Sequence, residues 1–225
     1  MRLPALAFRR EKGETMMSLA KKVSPESTAL VIVDVQNDFC ARGGFFDKRG
    51  EDLSFIQATV PKIKSLISEA RKAGVAVIFI QAVYDPEFVS PVMAEQRERK
   101  GITKLPLCLT GSSGVDFFEV SPLPSDIVVN KHRYSAFIGT DLDLILRSRA
   151  IKTLIMAGVA TNVCVESTAR DGYMHDYHIV FLEDCTATTD RELHAGTLEN
   201  ISRYFGQVCS SEEVTNIWKE HYKSR

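Results

Sequence analysis

Unbroken apolar runs recur along this chain, and the segments between them revert to a helical spacing. Ala29-Leu-Val-Ile-Val ends in the carboxylate of Asp34. Val75-Ala-Val-Ile-Phe-Ile80, Asp126-Ile-Val-Val-Asn130, Thr153-Leu-Ile-Met-Ala157 and His178-Ile-Val-Phe-Leu182 repeat the pattern, and Gly206-Gln-Val-Cys209 is a shorter version of it. Runs without polar alternation suit strands of a parallel sheet covered on both faces. Ser54 to Ala73 carries apolar residues at 56, 60, 63, 66, 67 and 70, a helical period, with Gly74 as its stop. Further helices are predicted over Asp141 to Arg149 and Val163 to His175. Thr189-x-x-Glu192 and Ser210-x-x-Glu213 read as capping boxes that open the last two. Strand–helix alternation of this kind predicts a three-layer α/β/α sandwich around a six-stranded parallel sheet, Rossmann-like in plan.

Two segments fall outside this alternation. Residues 1–27 are expected to be an N-terminal arm, either loose or covering a neighbouring subunit, ahead of a single domain over 28–225. Residues 84–114 read as irregular: Pro86, Pro91 and Pro106 interrupt them, Glu95 to Lys100 is charged, and Thr110-Gly-Ser-Ser-Gly114 closes them. A connection that long in a compact domain usually serves function, as a lid or pocket wall.

Composition narrows the class. The 225 residues are enough for one α/β domain with a substantial core. A net charge of −1 gives no pull toward nucleic acid or a membrane surface. No apolar run approaches the roughly 20 residues of a membrane span, and the N-terminal apolar patch is too short for a signal peptide. Cysteines at 40, 108, 164, 185 and 209 are odd in number and form no CxxC pair. That pattern predicts reduced thiols in a cytoplasm rather than disulfides or structural zinc.

In parallel sheets chemistry gathers at the carboxyl ends of the strands. Three reactive groups fall there: Asp34 after the first strand, Lys131 after the third, and Cys164 after the fourth. Cys164 is placed in the first turn of its helix, where free N–H groups and the helix dipole favour a thiolate. Asp34 is a candidate to take the thiol proton and return it to a leaving amine. Lys131 is a candidate to hold both anions and keep Asp34 ionised. Each fits an ordinary role singly, as buried thiol, turn residue or surface lysine. Their shared sheet edge favours a joint one.

These residues carry a resemblance. Val31-Ile-Val-Asp-Val-Gln-Asn-Asp-Phe39 with Gly43-Gly44, then Lys131, then Gly158-Val-Ala-Thr-Asn-Val-Cys164 resemble the isochorismatase-like cysteine hydrolases, from about Ser27 to Trp218. The resemblance implies a catalytic triad of Cys164, Asp34 and Lys131. It also implies a cis Val159–Ala160 peptide and an oxyanion hole made by the Ala160 and Cys164 N–H groups. Self-association as a homodimer or tetramer is implied as well, with residues 1–27 and 84–114 as candidates for reaching a neighbour. Nicotinamidases of this family bind a metal through an Asp and two His after the second strand. Here Gln81-Ala-Val-Tyr-Asp-Pro-Glu-Phe88 has no histidine. The five histidines offer no ligand pair, so neither metal nor other cofactor is expected.

Local matches in Lys131-His-Arg-Tyr-Ser-Ala-Phe137, Leu144 to Arg149, Gly158 to Thr168 with Arg170-Asp-Gly172, and Leu182-Glu-Asp184 resemble the ureidoacrylate amidohydrolases most. They imply hydrolysis of a small ureido or carbamoyl compound through a thioester, with release of ammonia or carbamate. Biuret, N-carbamoylsarcosine or nicotinamide-type amides are the alternatives, and so is a catalytically silent binding or scaffold protein. Candidate substrate contacts are Phe39, Gln81, Tyr84, Tyr134 and Asn162, with Arg133 or Arg97 for a substrate carboxylate. His132 is expected to pack rather than act. Cys185 and Cys209 are expected to be buried, Cys40 near the site, and Cys108 exposed in the long loop.

Overall fold

The computed structural model describes residues 17–223 except Lys104. Its strands are β1 (Thr28–Val33), β2 (Ala76–Ala82), β3 (Ile127–Lys131), β4 (Thr153–Val159), β5 (His178–Ala187) and β6 (Gln207–Cys209). They form one six-stranded sheet in the order β3-β2-β1-β4-β5-β6, and every pairing is parallel. The helices are α1 (Leu19–Lys22), α2 (Asn37–Cys40), α3 (Phe45–Lys48), α4 (Ser54–Ala73), α5 (Pro91–Arg99), α6 (Leu142–Ser148), α7 (Glu166–Met174), α8 (Arg191–Tyr204) and α9 (Ser211–Lys223).

The unbroken apolar runs are explained by cover on both faces. Side chains alternate across a strand. Leu30 and Ile32 of β1 join the cluster that contains Ile56, Ile63 and Ile67 of α4 and Val214 and Trp218 of α9. Ala29, Val31 and Val33 join the opposite cluster, with Leu142 and Leu146 of α6, Ala169 of α7 and Ile201 of α8. All six residues of β1 are buried, and its one polar side chain, Thr28 at the strand start, satisfies its hydroxyl by donating to the Lys22 carbonyl. Gly74 ends α4 in the left-handed conformation at φ +76°, as its position after the periodic run predicts.

Several boundaries differ from the sequence reading. Residues 84–114 are not irregular throughout, because α5 lies inside them, opened by Ser90, whose Oγ accepts from the Met93 N–H, and by Pro91. β5 runs five residues past Leu182. The first capping box is displaced by one residue: Asp190, not Thr189, accepts from the Glu192 and Leu193 N–H groups. A carboxylate is the stronger acceptor at that end of a helix. The second forms as read, with Ser210 and Glu213 exchanging backbone–side-chain bonds. Part of the expected arm is docked on its own chain. Trp218 Nε1 donates to the Val23 carbonyl at 2.9 Å, and Leu19 packs against the core. Residues 1–16 lie outside the described residues.

Candidate active site

The strand order reverses between β1 and β4. β2 and β3 lie on one side of that pair, β5 and β6 on the other, so a crevice opens at the carboxyl ends where the connections diverge. The chain delivers its reactive groups there. Asp34 follows β1, and its N–H still joins the ladder by donating to the Ile80 carbonyl. Just beyond, Gln36 clamps Ala82 of β2: its Oε1 accepts from the Ala82 N–H at 2.8 Å and its Nε2 donates to the Ala82 carbonyl at 3.0 Å. Lys131 is the last residue of β3, opposite Ala82.

β4 brings Cys164 through a tight approach. Gly158 has φ +120°, and a Cβ there would stand 2.1 Å from the Val33 carbonyl oxygen. Only glycine lets β4 lie that close to β1. The Val159–Ala160 peptide is cis. Thr161–Val165 then forms a π-helical turn, and regular α-helix begins only at Glu166. Two side-chain hydrogen bonds brace this turn. Thr161 Oγ1 pairs with His194 Nδ1 at 2.9 Å, and the Cys164 carbonyl accepts from Thr168 Oγ1 at 2.7 Å.

The three groups meet. Lys131 Nζ lies 2.7 Å from Asp34 Oδ2 and 3.4 Å from Cys164 Sγ, and it donates to the Arg133 carbonyl at 3.1 Å. An ammonium has three protons, and these partners account for all of them. Asp34 and Lys131 are wholly buried, and Cys164 is 5% exposed. The ion pair with Lys131 balances the charge of Asp34, and the Cys164 side chain lies within hydrogen-bonding reach of the same carboxylate.

Electrostatics follow from this burial. For Lys131, desolvation pulls the pKa down, but the negative charge of Asp34 and the neighbouring Cys164 more than reverse it, so the lysine stays protonated. Burial pushes the Asp34 carboxyl up, against the pull of Lys131. The Cys164 thiol is pushed up to about 12, chiefly by burial, with Lys131 opposing and Asp34 reinforcing. The expected resting thiolate is therefore corrected. Cys164 lies in the π turn ahead of the helix, and desolvation outweighs any dipole there.

Cys164 opens onto a cavity of about 320 Å³. Ala160, Asn162 and Val163 line it beside the sulfur, as do Phe39, Tyr84 and Tyr134 among the expected contacts. Gln81 does not; its Nε2 donates to the Val115 carbonyl and braces the loop instead. Arg97 reaches the cavity wall, whereas Arg133 is turned away, its Nη1 donating to the Phe88 and His132 carbonyls. His132 packs, stacked on Phe88 at 3.6 Å. Cys40, Cys185 and Cys209 are buried, and Cys40 is close enough to feel the Asp34 charge. Cys108 is buried rather than exposed, because its N–H donates to the Asp38 carboxylate at 2.6 Å and its carbonyl accepts from Tyr84.

The sequence reading missed Phe45 and Phe46 of α3, Met93 and Gln96 of α5, and Thr188 to Asp190 with Leu193, all on the cavity wall. The one signal for α3 was the Gly43-Gly44 pair just before it. Among the described residues no group of three or more His, Cys, Asp or Glu converges as a metal site, and no helix is long and apolar enough to cross a membrane.

Known proteins share this arrangement of chain. The isochorismatase domain profile matches residues 28–213. The ureidoacrylate amidohydrolase RutB of Acinetobacter baylyi is 36% identical over 215 residues, covering 90% of this chain and 88% of that protein. The protein of the same name from Stutzerimonas stutzeri is 40% identical over 205 residues, covering 85% and 82%. The crystal structure of a cysteine hydrolase from Pseudomonas syringae pv. phaseolicola superposes with a TM-score of 0.78 at 28% identity, over 89% of this chain and 96% of that one. With its sheet order, its crevice and these relatives, the chain belongs to the isochorismatase family of hydrolases.

Proposed function

We propose that the protein is a cysteine-dependent amidohydrolase that cleaves a C–N bond of a small linear ureido or carbamoyl compound, of the ureidoacrylate type. The observation that carries this reading is the Lys131 ammonium shared by Asp34 and the Cys164 sulfur, sealed from water on all sides but the cavity. The relatives named ureidoacrylate amidohydrolase support the substrate class.

The chemistry starts from a neutral thiol. Because the Cys164 proton is held tightly, it must leave as the sulfur attacks the ureido carbonyl, and the Asp34 carboxylate, hydrogen-bonded to that thiol, is the acceptor at hand. Lys131 stays charged throughout, steadying first the carboxylate and then the sulfur. The tetrahedral oxyanion forms beside Ala160 and Cys164, whose N–H groups are its donors in this reading; one such donor is worth about 3 to 4 kcal/mol. Asp34 passes the proton to the departing amine, leaving a carbamoyl thioester on Cys164. Water, deprotonated by Asp34, then releases carbamate, which decomposes to ammonia and carbon dioxide. All five cysteines are free, which suits work in a reducing cytoplasm. Homo-oligomeric assembly is part of the same reading.

The test is a panel of ureidoacrylate, biuret, N-carbamoylsarcosine and nicotinamide, with ammonia release measured for the wild type and Cys164→Ala. Turnover of ureidoacrylate that vanishes in the variant is expected. No turnover of any amide would favour the scaffold alternative, and a preference for nicotinamide would overturn the substrate class.

A further inference from the structure

The charges on the cavity wall do not cancel. Arg49 is paired with Glu51 at 3.1 Å. Asp190 is engaged as the N-cap of α8. Lys131 is taken by Asp34. Arg97, in the last turn of α5, is partly buried on the same wall, and among the described residues its guanidinium has no ion-pair or hydrogen-bond partner. The exposed Lys100 lies one turn on, also without one. The positive excess therefore sits at one place, on α5.

That helix is built to face the cavity rather than to fill the core. None of its residues is buried, yet Met93, Gln96 and Arg97 all line the cavity. Gln96 exchanges hydrogen bonds with the Tyr134 hydroxyl at 3.0 and 3.1 Å, which fixes the turn that carries Arg97. The surrounding wall is apolar, with Phe39, Phe46 and Leu107. A guanidinium partly stripped of water there, with five fixed donors, calls for a planar anion.

We propose that Arg97 is the specificity-determining residue, binding a carboxylate on the substrate and so selecting ureido acids over neutral ureas and amides. This rests on the proposed function and adds the group that separates its substrate from biuret or nicotinamide. The carboxylate meets Arg97 through two parallel N–H···O bonds while the ureido carbonyl lies at Cys164.

The experiment compares ureidoacrylate with its neutral methyl ester in the wild type, Arg97→Gln and Arg97→Lys. The wild type is expected to favour the acid by about 10- to 100-fold in kcat/KM, the range for a charge-assisted hydrogen bond. Arg97→Gln should lose that preference through KM, with kcat and ester turnover little changed, and Arg97→Lys should keep part of it. A thermal-unfolding midpoint equal to that of the wild type shows that the variant is folded. If Arg97→Gln keeps the wild-type ratio of acid to ester, the assignment of Arg97 is wrong while the amidohydrolase reading stands. If the wild type hydrolyses neither compound, the amidohydrolase reading fails and this inference with it.

Discussion

Replacing Lys131 by Met keeps most of the side-chain volume and removes the charge. The consequence can be worked from the burial of the pair. Asp34 and Lys131 are both wholly buried and 2.7 Å apart, and among the described residues Lys131 is the only cation paired with the carboxylate. Removing one partner of a buried ion pair costs about 3–5 kcal/mol, because the other charge is left in a medium that cannot solvate it. Asp34 would respond by taking a proton. Its pKa is already raised by burial, and without Lys131 it must rise further. A group whose pKa is raised on folding favours the folded state below its unfolded value and loses that contribution as pH rises through the folded value. The deficit of Lys131→Met should therefore be largest at pH 8 and shrink on acidification toward pH 5. A protonated Asp34 cannot accept the thiol proton, so activity should fall by about a hundred- to ten-thousandfold, the usual worth of a positioned base. Urea unfolding of the wild type, Lys131→Met and Asp34→Asn/Lys131→Met at both pH values is the assay. The double variant has no orphaned charge and should recover most of the stability but none of the activity. A double variant as unstable as the single one, or a Lys131→Met enzyme within tenfold of wild-type activity, would refute the reasoning.

Two further substitutions probe how the site is positioned, and a third is a control. Gly158→Ala would put a methyl group 2.1 Å from the Val33 carbonyl oxygen at φ +120°, so a loss of at least about 3 kcal/mol is expected in thermal unfolding, whereas Gly196→Ala, with nothing within 4 Å in α8, should be neutral or slightly stabilising. Thr161→Val removes the hydroxyl that ties the Cys164 turn to His194; kcat should fall about ten- to a hundredfold with little change in KM, and a wild-type kcat would show that the tie does not position the sulfur.

The parts of the fold legible in the sequence are those where burial leaves no choice. The cores of β1, β2 and β4 are covered on both faces, so their central residues are apolar without interruption, and Asp34 stands out because it follows such a run; Lys131 ends the edge strand β3, whose Val128 and Asn130 are exposed. The helix α5 was hidden for the opposite reason. It buries no residue, so it has no apolar period, and only its Ser90-Pro91 start signal marked it. Gln81 was misjudged by one position. Its neighbour Ala82 is the residue that pairs with Lys131, and Gln81 is held by Val115. The protonation state of Cys164 was misjudged because a helix start can be read from residues but the depth of burial cannot. Phe45 and Phe46 reach the cavity through the tight turn at Gly44, where a Cβ would lie 2.3 Å from the Asn37 carbonyl oxygen. That return of the chain is a tertiary fact with only glycines to announce it.

The covalent step can be observed directly. Wild-type protein mixed with ureidoacrylate, quenched in acid within the first turnovers and analysed by intact-protein and peptide mass spectrometry, should carry one carbamoyl group on the peptide containing Cys164, and Cys164→Ala should carry none. Rapid release of ammonia with an unmodified Cys164 peptide at every quench time, or with the carbamoyl group on another residue, would contradict a thioester at this sulfur.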